Sequence, residues 1–317
     1  MARYLGLRLL QGVFVLWTAF TVSFVVLYLL PGDPIMIMAA GGGELGSQDP
    51  AQLAALRQQY GFDQPVHVQY LEALGRALRG DFGTSIQTGA EVSDMVAAAI
   101  GQTVQLGLLA LAIALLLGVG IALGSVYVRS RALRQVLLSL PSVGVSMPTF
   151  WIGLLLVQFV SFRWGLLPAI GNDGFASLVM PAVTLAIPTA AVIAQLLAKS
   201  LRGTLAEPYV GAVRARGLGR GRVLLTHALR NATIPTLTMV GMIVGNLVAG
   251  TAVVETVFSR EGVGRLTFQA VDAQDIPVVQ ALVVLSAVLF VLVTLTVDVV
   301  YPLVDPRIVA GVGGRDD

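Results

Sequence analysis

Long apolar runs separated by short polar stretches organise this chain. Runs free of charge occur at Leu9 to Leu30, Val104 to Val128, Gln135 to Phe162, Phe175 to Ala198, Ile234 to Val254 and Ile276 to Val297. About 20 apolar residues in a helix cross the roughly 30 Å hydrocarbon layer of a bilayer, so six transmembrane helices are predicted. A transmembrane barrel would instead show short segments of alternating polarity, which is not the pattern here. The first run exceeds the apolar core of roughly 7–15 residues found in signal peptides and reads as a retained span.

The stretch between the first two runs, Pro31 to Thr103, reads as an external, mostly helical loop. It opens on the turn signal Pro31-Gly32-Asp33-Pro34, and Gly41-Gly42-Gly43 follows as a flexible segment. Gln52 to Tyr60 and Gln69 to Arg79 then carry apolar residues at helical spacing, for example Leu71, Leu74 and Leu78. The chain thus divides into an N-terminal segment and first helix (1–30), the external loop (31–103), a five-helix core (104–304) containing a polar loop (199–233), and a tail (305–317).

Composition agrees with this layout. Of 317 residues, 56% are hydrophobic and 12% charged, and the mean hydropathy is +0.83, values of a membrane protein. Placing both termini in the cytoplasm gathers there Arg3 and Arg8, then Arg129, Arg131 and Arg134, then the seven basic residues from Lys199 to Arg230, then Arg307 and Arg315. The net charge of +2 follows from that topology and gives no argument for nucleic acid. With no cysteine, disulfides and thiolate metal sites are excluded.

The most distinctive polar stretch is EPYVGAVRARGLGRGRVLLTHALRNATIP, Glu207 to Pro235. Pro208 suits the first position of a helix, where a missing N–H costs nothing, and Glu207 complements the positive end of the helix dipole. The helix should stop at Gly217, with Arg214 and Arg216 in its last turn. Val210, Ala212, Val213 and Ala215 make a compact surface suited to a groove on another protein. On charge alone, attraction of a basic loop to anionic lipid is equally open.

The order of residues resembles the coupling segment of ABC-type dipeptide and oligopeptide importer permeases. Tyr209, then Val213-Arg214-Ala215-Arg216-Gly217-Leu218, then His227-Ala228-Leu229-Arg230-Asn231-Ala232 and Pro235 follow that family's pattern. Val213 stands where the family usually has Ala, and Arg216 where it has Lys. Leu56 to Pro65 with Gln69-Tyr70, and Gly80-Asp81-Phe82-Gly83-Thr84-Ser85, are similar to the family's first permease type. So are Ser146 to Gly153, Val254-Glu255-Thr256-Val257-Phe258 with Gly262-Val263-Gly264, Asp275-Ile276-Pro277 with Gln280, Val297-Asp298 and Asp305-Pro306-Arg307. Glu261 departs from the Pro or other residue that commonly precedes the glycine.

The resemblance implies an all-α, polytopic permease fold with six transmembrane helices and an external helical insertion between helices 1 and 2, in a bacterial inner membrane. It implies half of a translocation pathway for dipeptides or oligopeptides. Nickel chelates, glutathione, haem and oligosaccharides stand as alternative cargo, and a secondary transporter as a distant one. It also implies a second homologous permease, two ATPase subunits holding ATP and Mg, an extracytoplasmic binding protein, surrounding membrane lipid and no nucleic acid. Glu207, Tyr209, Val213, Arg214, Ala215, Arg216, Gly217, Leu218 and His227 would couple to the ATPases.

Prolines 141, 148, 181 and 188 interrupt the third and fourth runs, and either simple kinking for packing or a pathway role is open. Gly118, Gly120, Gly124, Gly241, Gly245 and Gly250 suit close helix contact. No charge falls in mid-span, which weakens ion-coupled transport, and Glu255 and Asp298 read as interfacial. The spans offer neutral polar groups as pathway candidates: Gln158, Gln195, Asn246, Thr251 and Gln280. His67 and His227 lack a third metal ligand at suitable spacing, and no phosphate-binding loop is present, so no catalytic site, metal or cofactor is predicted in this chain.

Overall fold

The computed structural model describes residues 2–29, 54, 58, 63–238 and 240–304. The turn at 31–34, the glycines at 41–43, most of the helix expected at 52–60 and the tail at 305–317 lie outside the described residues. The chain falls into two compact units, one within residues 1–101 and 265–295, the other within 102–264 and 296–317.

The helices follow in order: α1 Ala2–Leu29, α2 Val66–Ala77, α3 Val92–Tyr127, α4 Arg131–Ser146, α5 Thr149–Leu156, α6 Gly174–Ala206, α7 Pro208–Ala215, α8 Leu229–Thr238, α9 Val240–Val257, α10 Val263–Asp272 and α11 Ile276–Val304. A π-helical turn, Val157–Arg163, extends α5, and a second, Val223–Ala228, leads into α8. Among the described residues the only extended pairing is an isolated bridge between Thr84 and Glu91.

Among the described residues three helices are each long and apolar enough to cross a membrane: Gly6–Leu27 within α1, α3 and α6. At 36 residues, α3 measures about 54 Å and outruns the hydrocarbon layer. The fifth predicted span falls on α8 and α9, and the sixth on α11, whose described apolar stretch is Ile276–Leu292.

The third predicted span needs correction. Gln135 to Phe162 is not one rod but α4 and α5 with its extension, bent by 101°. Pro148 clashes with a helical conformation at the residue before it, and Met147 is accordingly extended at φ −84°, ψ 126°. Prolines 141, 181 and 188 do not interrupt their helices. Pro141 lies inside α4, and Pro181 and Pro188 lie inside α6.

In the first unit Tyr70 of α2 packs against Phe20 and Phe24 of α1, with ring centroids 5.8 and 5.3 Å away. Its hydroxyl shares a 2.9 Å hydrogen bond with Thr21. The second unit is built around α6, in which 61% of the membrane-length window is buried against 28% in α3. A Cβ at Gly118 of α3 would meet the Ala190 carbonyl at 2.8 Å, and one at Gly144 of α4 the Ala191 side chain at 3.0 Å. Small residues therefore bring both helices onto α6, whereas Gly120 and Gly245 face open space.

Candidate functional site

The polar loop after α6 begins with α7. Glu207 precedes it in an extended conformation and Pro208 opens the first turn. Arg216 closes the helix, and Gly217 follows with φ +83°, its N–H donating to the Arg214 carbonyl at 2.9 Å. That left-handed angle disfavours any residue with a Cβ. Val210 alone is buried on α7; Glu207, Tyr209, Arg214, Ala215, Arg216 and Gly217 are exposed, and Val213, Leu218 and His227 are half-buried.

The far half of the loop is rooted. Leu224, Ala228 and Ala232 join Leu197, Ala198 and Leu201 of α6 and Ala122 of α3 in one apolar cluster. Arg220 donates to the Val126 carbonyl at 2.8 Å and lies 5.9 Å from the centre of the Tyr127 ring. A cation thus satisfies the negative, unbonded end of α3. The two halves of the motif also meet, because Asn231 Nδ2 donates to the Tyr209 hydroxyl at 3.0 Å. A small, cationic, solvent-facing helix stands on an apolar foot.

The five pathway candidates do not converge. Gln158, Gln195 and Asn246 are exposed and Thr251 is buried, all in the second unit, while Gln280 is buried in the first. Gln195 lines a cavity of about 350 Å³ whose walls include none of the other four. Gln280 Nε2 is buried with no hydrogen-bond partner among the described residues. Nor do three His, Cys, Asp or Glu side chains come together at any point among the described residues.

The charge at the end of α9 is buried within the protein. Glu255 is 1% exposed and Arg260 2%. Thr103 Oγ1 donates to Glu255 Oε1 at 2.6 Å, and the Gly264 N–H donates to Oε2 at 2.8 Å. The Val263 N–H donates to Thr103 Oγ1 at 2.8 Å, so carboxylate and hydroxyl together cap the first turn of α10. A Cβ at Gly262 would overlap the Glu255 carboxylate, and one at Gly264 would overlap the Ala252 backbone, which accounts for both glycines of the motif.

Arg260 extends the cluster. Nη2 donates to Gln102 Oε1 at 2.7 Å, and Nη1 to the carbonyls of Gly171 and Ser177 at 3.2 and 3.4 Å and to Ser177 Oγ at 3.3 Å. Burial lowers the guanidinium pKa and the Glu255 carboxylate opposes that shift; the group stays cationic. Glu261 uses what a proline there would lack, since its N–H donates to Asn172 Oδ1 at 3.2 Å.

In the first unit, two motifs distant in sequence form one contact. Ser85, the end of the Gly80-to-Ser85 stretch, donates to Asp275 Oδ2 at 2.5 Å, and the N–H groups of Ile86 and Gln87 donate to the same carboxylate at 3.2 and 3.4 Å. Asp275 therefore holds the 85–90 turn at the start of α11. Local sequence carries no sign of this pairing or of Arg260; the available signal is that Ser85, Glu255, Gly262, Gly264 and Asp275 fall within the quoted motifs.

Comparison with known proteins agrees with this architecture. Residues 114–310 match the family described as binding-protein-dependent transport system inner membrane component, and residues 1–107 match its N-terminal counterpart. The glutathione transport system permease protein GsiC of Salmonella choleraesuis (strain SC-B67) is 38% identical over 309 residues, covering 97% of this chain and 99% of that protein. GsiC of Escherichia coli (strain K12) is 35% identical over the same length and coverage. Among solved structures, the MetNI methionine ABC transporter in an inward-facing conformation aligns with a TM-score of 0.53 at 17% identity, over 66% of this chain and 96% of that one.

Proposed function

This chain belongs to the inner membrane components of binding-protein-dependent transport systems, and from that premise we propose that it forms half of the pathway of an ABC importer for short peptides, glutathione foremost. Membership makes it a multi-pass permease subunit, with ATP hydrolysis residing in separate subunits. The observation that carries the cargo is the near full-length similarity to glutathione permeases. Glutathione is itself a tripeptide, so it reconciles that similarity with the peptide-permease motifs.

In this reading α7 docks in a groove of an ATPase partner. Val213 and Ala215 give it a slim profile, and Arg214 and Arg216 supply charge at its exposed end. Closure of ATP- and Mg-loaded partners displaces α7, and the foot formed by Leu224, Ala228 and Ala232 passes the displacement to α6 and α3. Nucleotide and loaded binding protein must supply the difference in free energy between inward and outward states. Both termini and the 199–233 loop face the cytoplasm in this arrangement, and cargo selection rests with the extracytoplasmic binding protein.

The test is uptake by proteoliposomes holding this chain, its partner permease and the ATPases, supplied with the cognate binding protein and labelled cargo. Faster uptake of glutathione than of a dipeptide such as alanyl-alanine is expected. Uptake of alanyl-alanine with none of glutathione would overturn the cargo assignment while leaving the importer in place.

A further inference from the structure

We propose that the cavity between α3, α4 and α6 is a binding site for an anionic membrane phospholipid. The cavity holds about 350 Å³, and its walls include Ile121, Leu137, Leu138 and Pro141, an apolar surface fit for the start of an acyl chain. Lys199 and Arg202 line the same cavity, one turn apart on α6 and both exposed. Arg202 Nε is anchored to the Ala198 carbonyl at 3.2 Å, which leaves the outer nitrogens of its guanidinium to face a ligand.

Depth and charge select the occupant. Lys199 and Arg202 precede the end of α6 at Ala206 by about 10 and 6 Å at the helical rise. That is the level of the headgroup layer, and long basic side chains reach outward to it. The volume lies at the lower end of the roughly 300–1,000 Å³ of small-molecule pockets, so headgroup and upper chain are enclosed while the tails remain in the bilayer. The lining contains no Asp or Glu. A peptide or a zwitterionic headgroup would leave its ammonium without a partner, whereas the phosphate of phosphatidylglycerol meets two cations and brings no compensating charge. Gln195, exposed in the same lining, serves as a neutral donor to the ester or glycerol oxygens. The assignment rests on the permease reading only in that α6 must cross the bilayer.

Native mass spectrometry of the full chain, purified in mild detergent with its co-expressed partner subunits, tests this. Phosphatidylglycerol and phosphatidylcholine with the same acyl chains are added separately and retained lipid is counted. At least about fivefold preference for phosphatidylglycerol is expected from two cations near the headgroup. Lys199→Gln with Arg202→Gln should abolish the preference. Ile121→Trp fills the apolar end, keeps both cations and should also lower phosphatidylglycerol retention; it decides the matter alone if the double variant does not assemble. Unchanged retention in Ile121→Trp, or displacement of the lipid by millimolar reduced glutathione, would overturn the site, the latter by showing a water-soluble occupant. Recovery of ATPase subunits in the same preparation reports separately on the importer: lipid preference without them keeps the site and removes that reading, and the reverse result removes the site alone.

Discussion

Helix α7 and the cluster at the end of α9 both carry glutamate and arginine, yet the protein uses these charges in opposite ways. Glu207, Arg214 and Arg216 are exposed, with the helix held by one buried valine and a single tyrosine hydroxyl bond. Glu255 and Arg260 are almost wholly buried and bonded to backbone and side chains on four sides. Hydrated charges at α7 stay available to a partner and cost little to move. Buried charges at α9 are consumed internally, and their value is fixed geometry. Residue type alone does not distinguish an engaging surface from an anchor; the surroundings do.

The largest break in this contrast is Glu255→Ala. It removes the negative charge that favours the Arg260 cation and the acceptor for Thr103 and for the first turn of α10, at about 3–5 kcal/mol for a buried charge that loses its opposite. Thermal unfolding in detergent should begin well below the wild type, and equal stability would dissolve the distinction between anchor and surface. Next, Asp275→Ala leaves Ser85 and the N–H groups of Ile86 and Gln87 without their carboxylate, at about 1–3 kcal/mol. Limited proteolysis should then cut the 85–90 turn faster, and an unchanged digestion pattern would show that the turn holds itself.

At α7 the effects should fall on function and not on stability. Gly217→Val forces a β-branched residue into a left-handed angle at about 1–2 kcal/mol. That strain suffices to displace the end of α7, so uptake should drop by about tenfold while the assembly still hydrolyses ATP; normal uptake would remove α7 from the coupling route. The smallest effect is expected from Tyr209→Phe, which deletes one exposed hydrogen bond worth below about 1 kcal/mol. A two- to threefold loss of uptake, about what that energy allows, sharpens the contrast, and a larger loss would mean that Tyr209 contacts a partner directly.

The bounds of α7 were legible because their causes are local: Pro208 suits a first turn and Gly217 suits a left-handed close, whatever surrounds them. The bend in the third run was half legible. Four prolines read alike in sequence, but a break requires the preceding residue to leave the helix, as Met147 does; buried packing keeps Pro181 within α6. Polar residues in the runs proved least informative, since a glutamine in an apolar stretch does not disclose its direction, and Gln158, Gln195 and Gln280 end in three different settings. Arg260 went unread because its partners, Gln102, Gly171 and Ser177, lie far away along the chain.

Those separations also set an order of events during synthesis. Gln102 precedes Arg260 by 158 residues, and Ser177 precedes Arg260 by 83. At about 5–20 residues per second, roughly 8 to 30 seconds elapse between the emergence of Gln102 and that of the arginine it binds. Helices α3 and α6, which carry Gln102 and Ser177, are therefore synthesised in full before the arginine that ties them together exists, and any contact between them until then draws nothing from it.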